Sequence, residues 1–219
     1  MISLNGKKVL LTAGPTYEPI DPVRFIGNHS TGKMGYALAR RFAEEGAHVT
    51  LVSGPTALTL EHPNVQLVKV MTAQQMFEAC QAHAAQADIW VFAAAVADYR
   101  PQEMAPSKIK KSEDTLTLEL VKNVDIAATL GRQKRQDQFS VGFALETDQE
   151  LENARGKLQK KNLNLVVLNS LNDPGAGFKH DTNKITLVSS ETVRVFDLKT
   201  KEEVASDIVE SIKTQWACA

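Results

Sequence analysis

The sequence predicts an α/β protein built on a doubly wound, mostly parallel sheet with an inserted β flap. Two observations carry this. Ile89-Trp90-Val91-Phe92-Ala93-Ala94 is a run apolar on both faces, as a central parallel strand covered by helices must be. On either side of it, strand-like runs alternate with segments of helical period, and a β-α-β-α succession places helices on both faces of a Rossmann-like sheet.

In chain order, residues 7–12 read as a buried first strand, followed by a long loop, 13–31, punctuated by Pro and Gly. A helix from Thr31 or Gly32 to Glu45 follows, with Met34, Ala37, Leu38, Arg41 and Phe42 at helical spacing and Gly46 as its stop. Residues 47–52 and 65–70 read as strands, and Thr72 caps a helix over 73–85. After the 89–94 strand the rhythm changes. Residues 108–111 are basic, and 115–120 alternate with period two, which predicts an exposed strand in a flap covering about 100–122. The parallel pattern resumes at 139–144. Thr147-Asp148-Gln149-Glu150 reads as a capping box for a helix reaching Lys161, and 163–168 as the next strand. A loop over 172–183 leads to an antiparallel pair, 184–188 and 193–198, and a final helix over 201–216. Without repeats, low-complexity tracts or a linker, a single domain over 1–219 is expected.

A net charge of −1 gives no whole-protein attraction to nucleic acid or to an anionic membrane, so any anion site must be local. No signal-peptide pattern and no apolar run near 18 residues occurs, from which a soluble, cytoplasmic protein is expected. Cys80 and Cys218 offer neither a disulfide framework nor a metal cluster, and the histidines lack metal spacing.

Open α/β sheets bind ligands at the carboxyl ends of their strands, and four segments lie there. The loop 13–31 runs into a helix start, where free N–H groups suit a phosphate, with Asn28, Ser30 and Thr31 as polar donors and Gly32 allowing close approach. Gly27-x-x-x-x-Gly32-Lys33 nearly matches a P-loop, but Met34 replaces the Mg²⁺-binding hydroxyl and the loop does not follow its strand directly. In the second segment, Ala93, Ala94 and Ala95 leave room for a flat ligand. Asp98 follows them, suited to a ribose hydroxyl, a base amine or Mg²⁺. Third, Lys108 stands in the basic run at the root of the flap, where a lysine can close over phosphates or simply be solvated. The fourth combines a second helix start, Asn123-Val124-Asp125-Ile126, with Phe143 at a strand end and with Lys157 and Lys161 on one helix face.

A nicotinamide reductase fits poorly, because Val52-Ser53-Gly54-Pro55 puts no acid at the end of the second strand. Tyr17, Tyr36 and Tyr99 also lack a lysine four positions on, and no Gly-x-Ser-x-Gly elbow exists for a hydrolase. Phosphoryl or nucleotidyl chemistry, largely positioning and charge neutralisation, remains. A non-catalytic nucleotide- or flavin-binding module is the alternative.

Several motifs go further. Thr12-Ala13-Gly14-Pro15-Thr16, Glu18-Pro19-Ile20-Asp21-Pro22-Val23-Arg24, Asn28-His29-Ser30-Thr31-Gly32-Lys33-Met34-Gly35, Ala94-Ala95-Val96-Ala97-Asp98-Tyr99 and Lys108-Ile109-Lys110-Lys111 occur in this order. Together they resemble the phosphopantothenate–cysteine ligase family, in the form of the ligase half of a bacterial bifunctional protein. The resemblance implies a Mg²⁺-dependent ligation in two steps. The carboxylate of 4'-phosphopantothenate attacks the α-phosphate of CTP, and the amine of L-cysteine then displaces CMP. It further implies Asn28 and Lys108 as catalytic residues, with Gly14, Ser30, Thr31 and Gly32 at the acid substrate. Ala93–Ala95, Asp98, Asn123 to Ile126, Phe143, Lys157 and Lys161 are implied at the nucleotide, with Asp98 as a Mg²⁺ ligand. A homodimer is implied, with a flavin-dependent decarboxylase domain as a candidate partner in a longer protein. Two departures from the family pattern, Val124 for a common proline and Leu145 for a usual alanine, fall in the nucleotide segments.

Overall fold

Along the first strand, Val9, Leu11 and Ala13 pack to one side and Leu10 to the other, all nearly or fully buried, so helices must cover both faces. The computed structural model, which describes residues 2–110, 115–170, 172, 177 and 180–216, supplies them. Its elements run β1 (Lys8–Ala13), β2 (Tyr17–Pro19), β3 (Phe25–Gly27), α1 (Lys33–Glu44), β4 (His48–Ser53), β5 (Val65–Lys69), α2 (Ala73–Ala84) and β6 (Ile89–Phe92). They continue with β7 (Tyr99–Pro101), β8 (Leu120–Lys122), α3 (Ile126–Gly131), β9 (Phe139–Glu146), α4 (Glu150–Lys160) and β10 (Leu165–Ser170). The last are β11 (Thr182–Asn183), β12 (Thr186–Val188), β13 (Val193–Val195), β14 (Lys199–Thr200) and α5 (Lys201–Trp216).

Eight strands form the main sheet in the order β13-β12-β10-β9-β6-β1-β4-β5. From β10 to β5 every pairing is parallel, and β12 and β13 add an antiparallel edge. Renumbered among themselves, the six parallel strands have the doubly wound order 3-2-1-4-5-6, which reverses between β1 and β6. α1 and α5 cover one face through Leu38, Phe42, Val204, Ile208 and Ile212. α2 and α3 cover the other through Met76, Cys80, Ile126 and Leu130, and α4 adds Ala154 and Leu158 beyond them. Each buried Leu, Ile or Phe contributes about 2 kcal/mol by leaving water. Trp90, 1% exposed on β6, donates its indole N–H to Ala84 O at 3.1 Å and so leaves no polar atom orphaned in this core.

Gly35 sets how closely α1 docks. A Cβ there would meet the Ala13 Cβ at 2.5 Å, so only glycine lets the first turn of the helix rest on the end of β1. The predicted box on α2 is present, Thr72 Oγ1 accepting from Gln75 N and the Gln75 side chain from the Thr72 N–H.

Four expectations are corrected. The loop 13–31 contains an antiparallel hairpin, β2–β3, whose few residues carry no alternating pattern; its Tyr17 and Phe25 rings stack at 3.8 Å. The flap strand falls at β8, pairing with β7 outside the main sheet, whereas residues 115–119 are irregular and 111–114, with Lys111, lie outside the described residues. The box at Thr147–Glu150 does not form. Gln149 occupies the N-cap position at φ 45° with no side-chain cap, while Glu150 accepts a hydrogen bond from Ser170 Oγ. Phe143 lies within β9, which continues to Glu146, and not at its end.

Candidate functional site

At the reversal point the chain leaving β6 is fixed from both sides. Ala94 N donates to Thr12 Oγ1 at 3.2 Å, Ala95 N to Gly14 O at 2.9 Å and Ala97 N to Thr16 Oγ1 at 2.9 Å. From the opposite side Asn28 donates both amide protons, to Ala95 O at 3.0 Å and Val96 O at 3.2 Å. Asn123 Nδ2 donates to Ala97 O at 2.8 Å, and its backbone N–H to Asp98 O. The alanines expose little more than backbone, so the result is a rigid platform that a flat ligand can approach. Gly14, at φ 74°, is buried behind it and lines neither of the cavities described next.

Two cavities meet on this platform. The first, of about 230 Å³, is lined by residues 94–98, Asn123, the α3 start at Val124, Asp125 and Ile126, Phe143, Lys157 and Lys161. Asp125 caps α3 by accepting from Ala128 N at 3.0 Å, and it also pairs with Lys161 at 3.0 Å. Lys157 pairs with Glu146 at 2.9 Å, and Glu146 accepts a further bond from Asn153.

The second cavity, of about 330 Å³, is lined by Asn28, Ser30, Thr31, Gly32 and the first turn of α1. That helix start has no side-chain cap and no acidic residue in its first turn, so its N–H groups and positive dipole end are available to an anion. Ala93, Ala94, Ala95, Asp98, Phe143 and Lys157 also line it, and all of these except Ala93 line the first cavity too. The far wall comes from Asn169, Asn183, Gly177 and Lys201. Lys201 is 5% exposed, and its Nζ donates to Gly177 O at 3.2 Å and to His180 O. Desolvation, with a smaller push from nearby Lys33, lowers its pKa. Lys33 does not act as a free P-loop lysine. It forms an ion pair with Asp181, whose carboxyl it holds below the usual range.

The structure therefore gathers Asn28, Ser30, Thr31, Gly32 and the residues expected at the nucleotide into two connected cavities. It does not bring in Lys108, which is exposed and lines neither. The segment carrying it is tied to the β2–β3 hairpin. Ile109 N donates to buried Asp21 at 3.1 Å, Arg24 Nη2 donates to Ile109 O at 3.1 Å, and Ala105 N donates to Ile20 O at 2.9 Å. The Arg24 guanidinium, together with backbone N–H groups, holds the Asp21 carboxyl well below the usual carboxylate range. Sequence reasoning missed Lys201, Asn169 and Asn183. Asn169 carried a usable signal, because it stands at the carboxyl end of a parallel strand.

For Mg²⁺ the donor set is small. Among the described residues no group of three or more His, Cys, Asp or Glu converges. Asp98 is exposed on the wall shared by both cavities, which suits an ion held largely by substrate phosphates and water, with one protein carboxylate.

Known proteins share this sequence pattern and this fold. The family described as DNA/pantothenate metabolism flavoprotein C-terminal domain matches residues 4–215. A protein of an unknown prokaryotic organism, called a cysteine/cysteine sulfinic acid decarboxylase, is 50% identical over 212 residues, covering 96% of this chain and 59% of that protein. The coenzyme A biosynthesis bifunctional protein CoaBC of Vibrio parahaemolyticus is 46% identical over 212 residues, covering 96% of this chain and 53% of its own length. The chain thus spans little more than half of these curated relatives. A crystal structure of the C-terminal domain of a CoaBC protein superposes with a TM-score of 0.84 at 41% identity, covering 99% of each chain.

Proposed function

From the premise that this chain belongs to the DNA/pantothenate metabolism flavoprotein C-terminal domain family, we propose that it is the phosphopantothenate–cysteine ligase unit of coenzyme A biosynthesis, using CTP. The observation that carries the reading is the junction: two cavities of different chemistry open onto one wall formed by Ala94, Ala95, Asp98, Phe143 and Lys157. A reaction that first joins an acid to a nucleotide phosphate needs both reactants held across such a boundary.

In this reading the first cavity takes CTP. The small platform residues and Asn123 to Ile126 border the cytidine, and Lys157 and Lys161 meet the triphosphate. The second takes 4'-phosphopantothenate, its phosphate at the start of α1 and its carboxylate toward Lys157. The carboxylate oxygen attacks the α-phosphorus, the bond to the β-phosphate oxygen breaks, and pyrophosphate leaves. The cysteine amine then attacks the acyl carbon, CMP departs with the bonding electron pair, and the amine loses a proton. Bound Mg²⁺ would neutralise phosphate charge, with Asp98 as its protein ligand. Asn28, which spends both amide protons on the platform, keeps Oδ1 for the intermediate and acts chiefly by fixing Ala95 and Val96.

Lys108 keeps its role as the flap lysine, reaching the triphosphate from a closed flap or across a dimer. The dimer is supported by exposed apolar side chains on the two small hairpins and the flap: Val23, Phe25, Tyr99, Met104, Leu116 and Leu120. Among the described residues no helix is long and apolar enough to cross a membrane, and the proposed enzyme is cytoplasmic. A flavin-dependent decarboxylase domain remains a proposed partner in the longer relatives.

The test is CMP and pyrophosphate release from CTP and 4'-phosphopantothenate, dependent on cysteine, run against a panel of nucleotides. Binding without turnover for every nucleotide would sink the ligase reading and favour a non-catalytic nucleotide- or flavin-binding module. Unchanged turnover in both Lys108→Gln and Asn28→Asp would sink the residue assignment, and a monomer by sedimentation would sink the dimer.

A further inference from the structure

One wall of the second cavity carries an atom that its charge does not explain. Asn183, on β11, is 3% exposed and lines the cavity beside Asn169. Its Nδ2 donates to Asn169 Oδ1 at 2.9 Å, yet its Oδ1 has no hydrogen-bond partner. Nearly all buried polar atoms in folded proteins are paired, because an unpaired one forfeits its hydration without replacement. Among the described residues one other such atom occurs, Arg41 Nε, within an ion-pair cluster with Glu44, Glu45 and Glu210 that borders neither cavity. An orphan acceptor on a cavity wall is different, since a bound molecule can supply the missing donor.

The atom specifies that donor. A carbonyl oxygen only accepts, so neither a phosphate dianion nor a carboxylate can satisfy it. Those groups are provided for elsewhere, at the uncapped start of α1 and at the lysines. Lys201 does not serve as the donor: its Nζ donates to Gly177 O and His180 O, and no bond reaches Asn183 Oδ1.

We infer that Asn183 is a specificity-determining residue that accepts a hydrogen bond from a neutral hydroxyl or amide N–H of the acid substrate. The inference rests on the ligase reading, in which that acid carries one hydroxyl and one amide N–H between its anionic ends. It gives the second cavity a division of labour. Positive groups hold the ends of the substrate, and a buried amide checks its middle. A site built this way rejects analogues that lack the donor, because the protein atom is then left unpaired in the complex as well.

The experiment measures calorimetric binding of 4'-phosphopantothenate together with kcat and KM. It compares the wild type, Asn183→Leu and Asn183→Asp, using the parent acid, its hydroxyl-deleted analogue and its N-methyl-amide analogue. In the wild type, one of the two analogues should bind roughly tenfold or more weaker than the parent. Asn183→Leu should weaken the parent acid by a similar factor in Kd and KM and lose that discrimination. Its kcat and its KM for CTP should stay within about threefold, and its Tm should change little, since the variant removes an orphan acceptor together with the donor to Asn169 Oδ1. Asn183→Asp, which keeps an acceptor, should recover part of the discrimination. Equal binding of parent and both analogues by the wild type overturns the inference whether or not either variant folds. So does an unchanged Kd in Asn183→Leu. A wild type that binds the acid but never releases CMP defeats the ligase reading alone, since the binding comparison can still be made.

Discussion

The two cavities share a wall and treat charge in opposite ways. In the first, Lys157 and Lys161 each have a carboxylate partner, Glu146 and Asp125. In the second, Lys201 rests on backbone carbonyls, and α1 begins with no acid in its first turn, although Lys33 is neutralised by Asp181. A polyanion entering the first cavity must therefore exchange with a carboxylate, trading one ion pair for another, so the net gain is modest and sensitive to salt and divalent cations. An anion entering the second meets, at the start of α1, donors with no carboxylate to displace, and competes with Glu146 only where it reaches Lys157. The first cavity is suited to a ligand that arrives and leaves as its charge changes, the second to one that is held.

Lys157 stands where the two regimes meet, and its loss should have the largest effect. Lys157→Met should lower kcat/KM for ligation by roughly 10²–10³-fold, with both phosphopantothenate and CTP affected. Lys161→Met, which touches only the first cavity and whose Asp125 partner is half exposed, should cost about tenfold, and only in KM for the nucleotide. If Lys161→Met is the more damaging, the junction is misassigned. A smaller effect is expected at Asp21→Asn, which turns one of the acceptors facing Arg24 and Ile109 into a donor. Turnover should drop roughly fivefold and amide exchange across 105–110 should accelerate, because the root of the flap is released while both cavities remain intact.

The smallest effect belongs to a lysine far from both cavities. Lys134 donates to Ser140, Asn162 O and Asn164 near the starting ends of β9 and β10, without a carboxylate, and burial lowers its pKa from 10.5 to about 8. Below pH 8 both folded and unfolded chains carry the proton, and the cost of burying the charge is present in full. Between pH 8 and 10.5 the unfolded chain keeps the proton and the folded one has lost it, so stability rises with pH, by about 1 kcal/mol once partial exposure is allowed for. Cys80, pushed up by burial from 9.0 to about 12, works in the opposite direction from pH 9 upward. Urea midpoints at pH 7 and pH 10 for the wild type and Lys134→Met isolate the lysine. The variant should lack the rise, with ligation at pH 7 unchanged.

What the sequence could reveal followed from periodicity. The six parallel strands, α1, α2 and α5 were legible because burial on one or both faces imposes period 2, period 3.6 or a continuous apolar run. The reversal point was legible because strand-end loops carry small residues and lone polar groups, as at Ala93–Asp98. What escaped was decided by partners distant in the chain. Glu150 has the right spacing for a box with Thr147, but Ser170, twenty residues on, holds it. Three-residue strands such as β2, β3 and β8 are too short for a period to show. Lys201 stands in the sequence only as the start of the last helix, and its contacts with Gly177 and His180 come from the fold. Val124 and Leu145 both fall on cavity walls, Val124 in the first and Leu145 in the second, so the two departures lie in different cavities, and in the proposed reading Leu145 borders the acid.

The reversal of strand order between β1 and β6 also has a consequence for how the protein comes into being. Val9 pairs with Ile89, and the cavities they support are closed by residues as late as Asn183 and Lys201. On a ribosome the first binding surface waits for residues up to Val166 and the second for residues up to Lys201, so ligands cannot guide the early stages of folding. They act instead as a latch on the last step, deepening the native well by an amount that grows with the logarithm of their concentration. On the proposed reading, a cell rich in the substrates would hold more of this chain folded than a starved one, before a single bond is made.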